Sequence, residues 1–62
     1  MFRFTVTASN PADNSRGYES NAILAYKKAV NIAKEARGGA IITVDDLENG
    51  NTLFHTESVI GK

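Results

Sequence analysis

The residues of this 62-residue chain that could do chemistry lie mainly in its second half. Residues 45–50, Asp-Asp-Leu-Glu-Asn-Gly, combine carboxylates with a glycine turn, as calcium-binding loops do. An EF-hand loop that began at Asp45 would place Leu47 at its third position and Thr56 at its twelfth, where the pattern needs a ligand and a bidentate glutamate. The segment therefore fits a solvated hairpin tip better, and we predict no metal site.

His55 and Glu57 form the second group, because residues two apart in a strand project from the same face. Acid–base catalysis needs a pocket and a third group that orients the imidazole as well. The sequence places no nucleophile beside this pair. We therefore predict no catalytic residue, no cofactor and a non-enzymatic protein. At a contact surface, His55 would make binding sensitive to pH, since imidazole changes charge between about pH 5 and 8.

Size and charge limit the remaining functions. The length predicts a single domain over residues 1–62. Seven basic and seven acidic side chains give a net charge of zero, which argues against a protein that depends on many phosphate contacts. Arg3, Arg16 and three lysines of the predicted helix keep a nucleic-acid-binding module as the alternative function. No apolar run approaches the roughly 20 residues that span a bilayer, so we expect a cytoplasmic protein without membrane contact.

Residues 20–37 predict one amphipathic helix. At about 100° per residue the centre of its apolar half is nearly all alanine, which predicts close packing on a sheet that carries large side chains. Ser20 is the predicted N-cap, and Gly38 follows the last turn. Leu24 is the one large apolar residue among the charged side chains, and we predict that it contacts a partner.

The elements around this helix predict an α+β fold in which it packs on a three-stranded, mostly antiparallel sheet. Period-two alternation and β-rich composition place strands at residues 1–8, 40–45 and 52–60, in the order β-α-β-β. Residues 9–19 are rich in turn formers and are predicted to be a loop. A right-handed crossover joins the first two predicted strands. We place the third between them, in the order 1-3-2, because it is the longest and least charged.

The hairpin between the last two predicted strands has two possible registers. A two-residue turn at 49–50 would pair Val44 with His55 and mix apolar with polar residues on one face. A three-residue loop at 48–50, with its glycine in the left-handed conformation, pairs Val44 with Phe54. We predict the second register, because it places these apolar residues on the helix side: Phe2, Phe4, Val6, Ile42, Val44, Phe54 and Ile60.

The opposite sheet face is predicted to carry three aliphatic side chains beside His55. Exposed apolar patches often mark contact sites, although isolated aliphatic residues also occur on ordinary surfaces. In the predicted loop, Arg16 and Tyr18 are residue types enriched at contact hot spots, while Tyr18 could equally pack beside the start of the helix. The candidate protein-contact residues are Leu24, Ile41, Leu53, His55, Val59, Arg16 and Tyr18.

The order strand, helix, strand, strand resembles that of the dodecins, small flavin-storing proteins that assemble into hollow dodecamers. The resemblance implies an oligomer that binds a flavin-like ligand, but this chain lacks the tryptophan with which that family stacks the flavin. Binding of a flavin-like ligand is therefore only the third hypothesis. The leading hypothesis is a small non-enzymatic protein that acts by protein–protein contact. Its partner is a second copy, which we expect to form a homodimer, or a larger protein for which this chain is an adaptor or inhibitor.

Overall fold

The computed structural model describes the backbone of residues 1–59 and the side chains of residues 1–56. The four strands form one sheet in the order β2-β1-β3-β4, and each strand is antiparallel to its neighbours. One helix covers one face of this sheet, which confirms the α+β class. The elements are β1 (Phe2–Ala8), a 3₁₀ turn (Pro11–Asp13), β2 (Ser15–Glu19), α1 (Ala22–Glu35), β3 (Ala40–Asp46) and β4 (Asn51–Val59).

The predicted loop at residues 9–19 contains β2, so the three-stranded β-α-β-β prediction is wrong and the order is β-β-α-β-β. The resemblance to the dodecins rested on that order and does not hold. The helix-facing positions of β2 are Ser15, Gly17 and Glu19, none of which is a large apolar residue. The ring of Phe4 in β1 lies against Gly17 and covers this part of the strand. The alternation that marks a half-buried strand is therefore absent from the sequence of β2.

The predicted strand order is also wrong, because β3 pairs directly with β1 and β4 lies at the edge of the sheet. The β1–β2 hairpin reverses the chain before the helix begins. The helix therefore connects β2 to β3, with β1 between them. As a result β3 runs antiparallel to β1 along its whole length, from Phe2 opposite Asp46 to Ala8 opposite Ala40.

The N-cap of the helix is Asn21 and not Ser20. Its side-chain oxygen accepts hydrogen bonds from the backbone N–H groups of Ile23, at 2.8 Å, and Leu24, at 3.2 Å. Both Ser and Asn are good capping residues, so the sequence located the start of the helix to within one residue.

The far end of the helix is held by the connection between β1 and β2. The helix ends two residues earlier than predicted, and the backbone N–H of Arg37 donates to the carboxylate of Asp13 at 3.3 Å. The side chain of Asn14 accepts a hydrogen bond of 2.7 Å from the backbone N–H of Ala8. These contacts close the end of the molecule opposite the helix start.

The core confirms the predicted packing of small against large side chains. Ala25, Ala29 and Ala33 have no exposed surface. The predicted pairing of Val44 with Phe54 is confirmed, and Gly50 has a φ of 71° as expected. The three-residue loop is wrong, because Asp46 pairs with Asn51, the turn contains four residues, and a register shift between Asp45 and Val44 brings Val44 opposite Phe54. The sheet contributes Phe4, Val6, Ala40, Ile42 and Val44 to the core. Ile60, which was predicted to join them, lies outside the described residues.

Candidate functional site

The sheet face turned away from α1, here called the open face, contains five of the seven candidate contact residues. The register places Tyr18 opposite Arg3 and Arg16 opposite Thr5. Because paired residues share a face and neighbouring residues in a strand alternate between faces, the strand pairing defines the remaining members. The open face consists of Arg3, Thr5, Thr7, Arg16, Tyr18, Ile41, Thr43, Asp45, Thr52 and His55. Leu53 lies at the irregularity in β4 and joins this face as the neighbour of the helix-facing Phe54.

Tyr18 therefore does not pack beside the helix start, which was one of the two predictions for this residue. It lies on the opposite side of the sheet from α1, and 53% of its surface is exposed. The sequence could not join Tyr18 and Arg16 to the other open-face residues, because the strand that carries them was predicted to be a loop.

A cross-strand ion pair lies on the open face near the start of β1. The guanidinium group of Arg3 donates to the carboxylate of Asp45 at 3.1 Å. The hydroxyl of Thr52 donates to the other oxygen of that carboxylate at 2.8 Å. The Nε–H of Arg3 is buried and has no acceptor among the described residues. The ion pair thus neutralises the carboxylate and leaves one donor of Arg3 unsatisfied.

The structure places His55 beside a hydroxyl, because its Nδ1 lies 3.4 Å from Oγ1 of Thr43 on β3. The side chain of Glu57, its predicted partner, lies outside the described part of the chain. Within that part, no three histidine, cysteine or carboxylate side chains are grouped so that they could hold a metal ion.

The acidic hairpin tip is organised by Asp46, whose carboxylate is directed into the turn. Its oxygens accept hydrogen bonds from the backbone N–H of Glu48, at 3.0 Å, and from the side-chain amide of Asn49, at 2.9 Å. Desolvation raises the pKa of Asp46, but the hydrogen bonds from Glu48 and Asn49, together with the positive charge of the N-terminal ammonium, outweigh it, and the pKa lies below its ordinary value. The carboxylate therefore stabilises the turn in its charged form.

The lowered pKa of Asp46 predicts a loss of stability in acid. A carboxyl whose folded-state pKa is depressed contributes stability above its unfolded value, about pH 4, and loses it as the pH falls through the folded value. Urea denaturation between about pH 7 and 2.5 should therefore show a smaller acid-induced loss for Asp46→Asn than for the wild type. Glu48→Gln removes a charge from the same turn and is the control. If the Asp46→Asn and wild-type curves are parallel, Asp46 does not carry this effect.

The end of the molecule where the helix starts carries a second surface, which we call the apolar end: Met1, Ile23, Leu24 and Leu47. Phe2 of β1 lies between Glu19 of β2 and Asp46 of β3. The helix begins three residues after Glu19, and the β3–β4 turn begins directly after Asp46, so both start at this end of the sheet. The backbone N–H of Leu47 donates to the carbonyl of Met1 at 3.2 Å. Each of the four side chains is at least 41% exposed.

Sequence reasoning found Leu24 but missed its neighbours at the apolar end. Ile23 lies at the margin of the predicted apolar half of the helix and is 60% exposed. It lies in the first turn, beyond the row of alanines that packs on the sheet. Leu47 was considered only as a departure from a calcium loop. The helical position of Ile23, at the margin of the apolar half, was the available signal.

The comparisons with known proteins do not assign the site. No protein-family model, curated protein or solved structure matches this chain. Over residues 1–59, no helix has the length and apolar character that crossing a membrane requires. The cytoplasmic location stays a prediction. Val59 pairs with Ala40 at the end of β4, but its side chain is not described, so its role as a contact residue is also still a prediction.

Proposed function

We propose that this protein acts by non-covalent protein–protein contact, without catalysis, and that a second copy of the chain binds at the apolar end. One observation carries the proposal. Of the eight exposed large hydrophobic side chains in the described part, seven lie in the half of the molecule where β1 and α1 begin, and Ile41 is the exception. Apolar surface concentrated in this way usually marks a contact site.

The composition of the apolar end supports a second copy as the partner. Its four side chains are uncharged, so two copies related by a two-fold axis can pack the same apolar surface against itself. Sequestering these side chains from water is the driving force for such a contact.

The size of the apolar end indicates a weak dimer. The four side chains of the apolar end are each only about half exposed. They offer much less apolar surface than the roughly 800 Å² per partner that a stable interface of standard size buries. We therefore expect a dimer that forms and dissociates in the micromolar range or weaker, as contacts of small area do.

The proposal predicts that Leu24→Lys weakens self-association. Sedimentation equilibrium and light scattering over a wide concentration range should show the wild type rising from monomer to dimer mass. The lysine ammonium would have to be desolvated in an apolar contact, so we expect the dissociation constant to rise about tenfold or more. Asn31→Lys adds the same charge at another exposed position of α1 and should leave the dissociation constant unchanged.

Two outcomes would contradict the proposal. The wild type could stay monomeric at every concentration, or Leu24→Lys and Asn31→Lys could associate equally well. Leu53→Lys locates the contact further, because Leu53 lies on the open face. If it alone weakens association, the two copies meet through the open face, and the apolar end is not the interface.

A further inference from the structure

The open face carries features of a second kind of binding site, independent of the apolar end. A ring, two cations and several hydroxyls lie on the same side of the sheet. Arg3 is opposite Tyr18 in the neighbouring strand, and Arg16 is two residues before Tyr18 in the same strand. Opposite residues have Cβ atoms about 5 Å apart, and alternate residues of a strand are about 7 Å apart. The exposed ring of Tyr18 therefore has a guanidinium-bearing residue on two sides.

The electrostatics of this region favour an anion. Asp45 is the one carboxylate among the described open-face side chains, and it is already paired with Arg3. Arg16 is exposed and forms no ion pair with any side chain of residues 1–56. The buried Nε–H of Arg3 also lacks an acceptor there. The side of the sheet around β1 and β2 therefore offers donors and positive charge without a competing carboxylate.

A groove adjoins Arg16 and supplies further hydrogen-bonding groups. It has a volume of about 380 Å³ and is open to solvent. Its lining residues are Thr5, Val6, Thr7, Asn14, Ser15 and Arg16, none of which carries a carboxylate. Of these, Thr5, Thr7 and Arg16 lie on the open face. Arginine suits a phosphate group, because its planar donors can bind two phosphate oxygens at once.

We propose that the open face binds single-stranded nucleic acid, with a phosphate in the groove beside Arg16 and a base stacked on Tyr18. Proteins that bind single strands combine a basic groove that follows the backbone with aromatic rings on which bases stack. An uncovered antiparallel sheet can present both at the spacing of alternate residues. The zero net charge of the chain limits the number of phosphate contacts, so we expect weak binding with little sequence preference.

Fluorescence anisotropy with labelled oligo-uridine and oligo-deoxythymidine of about 12 nucleotides tests the proposal on the wild-type protein. Stacking predicts that Tyr18→Leu weakens binding about tenfold, whereas Tyr18→Phe, which keeps the ring, retains it. The two oligonucleotides differ in the 2′-hydroxyl and in the C5 methyl group of the base, so a difference in affinity shows that one of these groups is recognised. Inorganic phosphate as competitor distinguishes a general anion site, which phosphate would saturate, from a site that also needs a base.

The salt dependence tests Arg16 separately. One phosphate contact to a single strand contributes about 0.7 to the slope of log affinity against log salt, so Arg16→Gln should reduce the slope by about that amount. Lys34→Gln removes the same charge from an exposed position of α1 and should leave the slope unchanged. Circular dichroism confirms that each variant is folded.

Three results would overturn this proposal: no binding of either oligonucleotide at low salt, equal binding by Tyr18→Leu and the wild type, or equal slopes for Arg16→Gln and Lys34→Gln. The proposal does not depend on dimer formation. Leu24→Lys, which is expected to weaken self-association, should bind the oligonucleotides as the wild type does. The two proposals can therefore fail independently.

Discussion

Replacing Ala29 with leucine is expected to lower the free energy of unfolding by about 2 to 3 kcal/mol. Ala29 has no exposed surface and lies between Ala25 and Ala33, which are also fully buried. These small side chains bring the helix backbone close to a sheet that carries Phe4, Val6, Ile42 and Val44. Three extra carbon atoms at this position must push the helix outward or force side chains from their preferred rotamers.

The effect is large for a chain of this length, whose expected stability is about 3 to 9 kcal/mol. Lys27→Leu introduces the same side chain at an exposed position of the same helix and should change the stability by no more than about 0.5 kcal/mol. Urea denaturation followed by circular dichroism measures both. An Ala29→Leu protein as stable as the wild type would show that the helix is not held at the distance that alanine permits.

The parts of the fold that could be predicted are those in which the spacing of apolar residues indicates which side chains are buried. The alanine row repeats at helical spacing and faces the sheet, so the helix and its buried side follow from the sequence. The pairing of Val44 with Phe54 follows for a similar reason, because it keeps apolar residues together around the turn at Gly50. In both cases the local pattern and the long-range contact require the same residue types.

β2 could not be predicted from its own residues, because a side chain of β1 fills the space beside its helix-facing positions. Gly17 needs no apolar side chain of its own when the ring of Phe4 lies over it. Without this strand, the sequence implies a loop and a parallel crossover from β1 to β3. The antiparallel order and the position of β4 at the edge both depend on the missing hairpin.

The residues of the candidate site also divide into those that the sequence could place together and those that it could not. Alternation within strands was enough to place Ile41, Leu53 and His55 on one face. Arg16 and Tyr18 join them only through the pairing of β2 with β1, which the sequence does not indicate. The apolar end was missed because it gathers residues from the chain start, the first helical turn and a hairpin tip, which are distant in sequence.

Gly17→Ala is expected to destabilise the protein by about 3 kcal/mol or more. A Cβ at this position would overlap the ring of Phe4, which is buried and cannot move without disturbing the core. The direction of the stability change distinguishes a β2 strand paired with β1 from the loop that the sequence suggests. In a loop with compatible backbone angles, replacing glycine with alanine commonly stabilises by about 0.4 to 1 kcal/mol, because the unfolded chain loses freedom.

A double-mutant cycle with Phe4→Leu assigns the destabilisation to this one contact. Phe4→Leu alone should lower the free energy of unfolding by about 1 to 2 kcal/mol, because it removes buried ring atoms. In that background the space beside Gly17 is partly vacated, and Gly17→Ala should change the stability by less than about 1 kcal/mol, a coupling of about 2 kcal/mol. If the two substitutions are additive, the alanine acts through the backbone of β2, and the Phe4 ring does not cover this strand. A coupling of the expected size would establish that β2 pairs with β1, the pairing on which the shared face of Arg16 and Tyr18 depends.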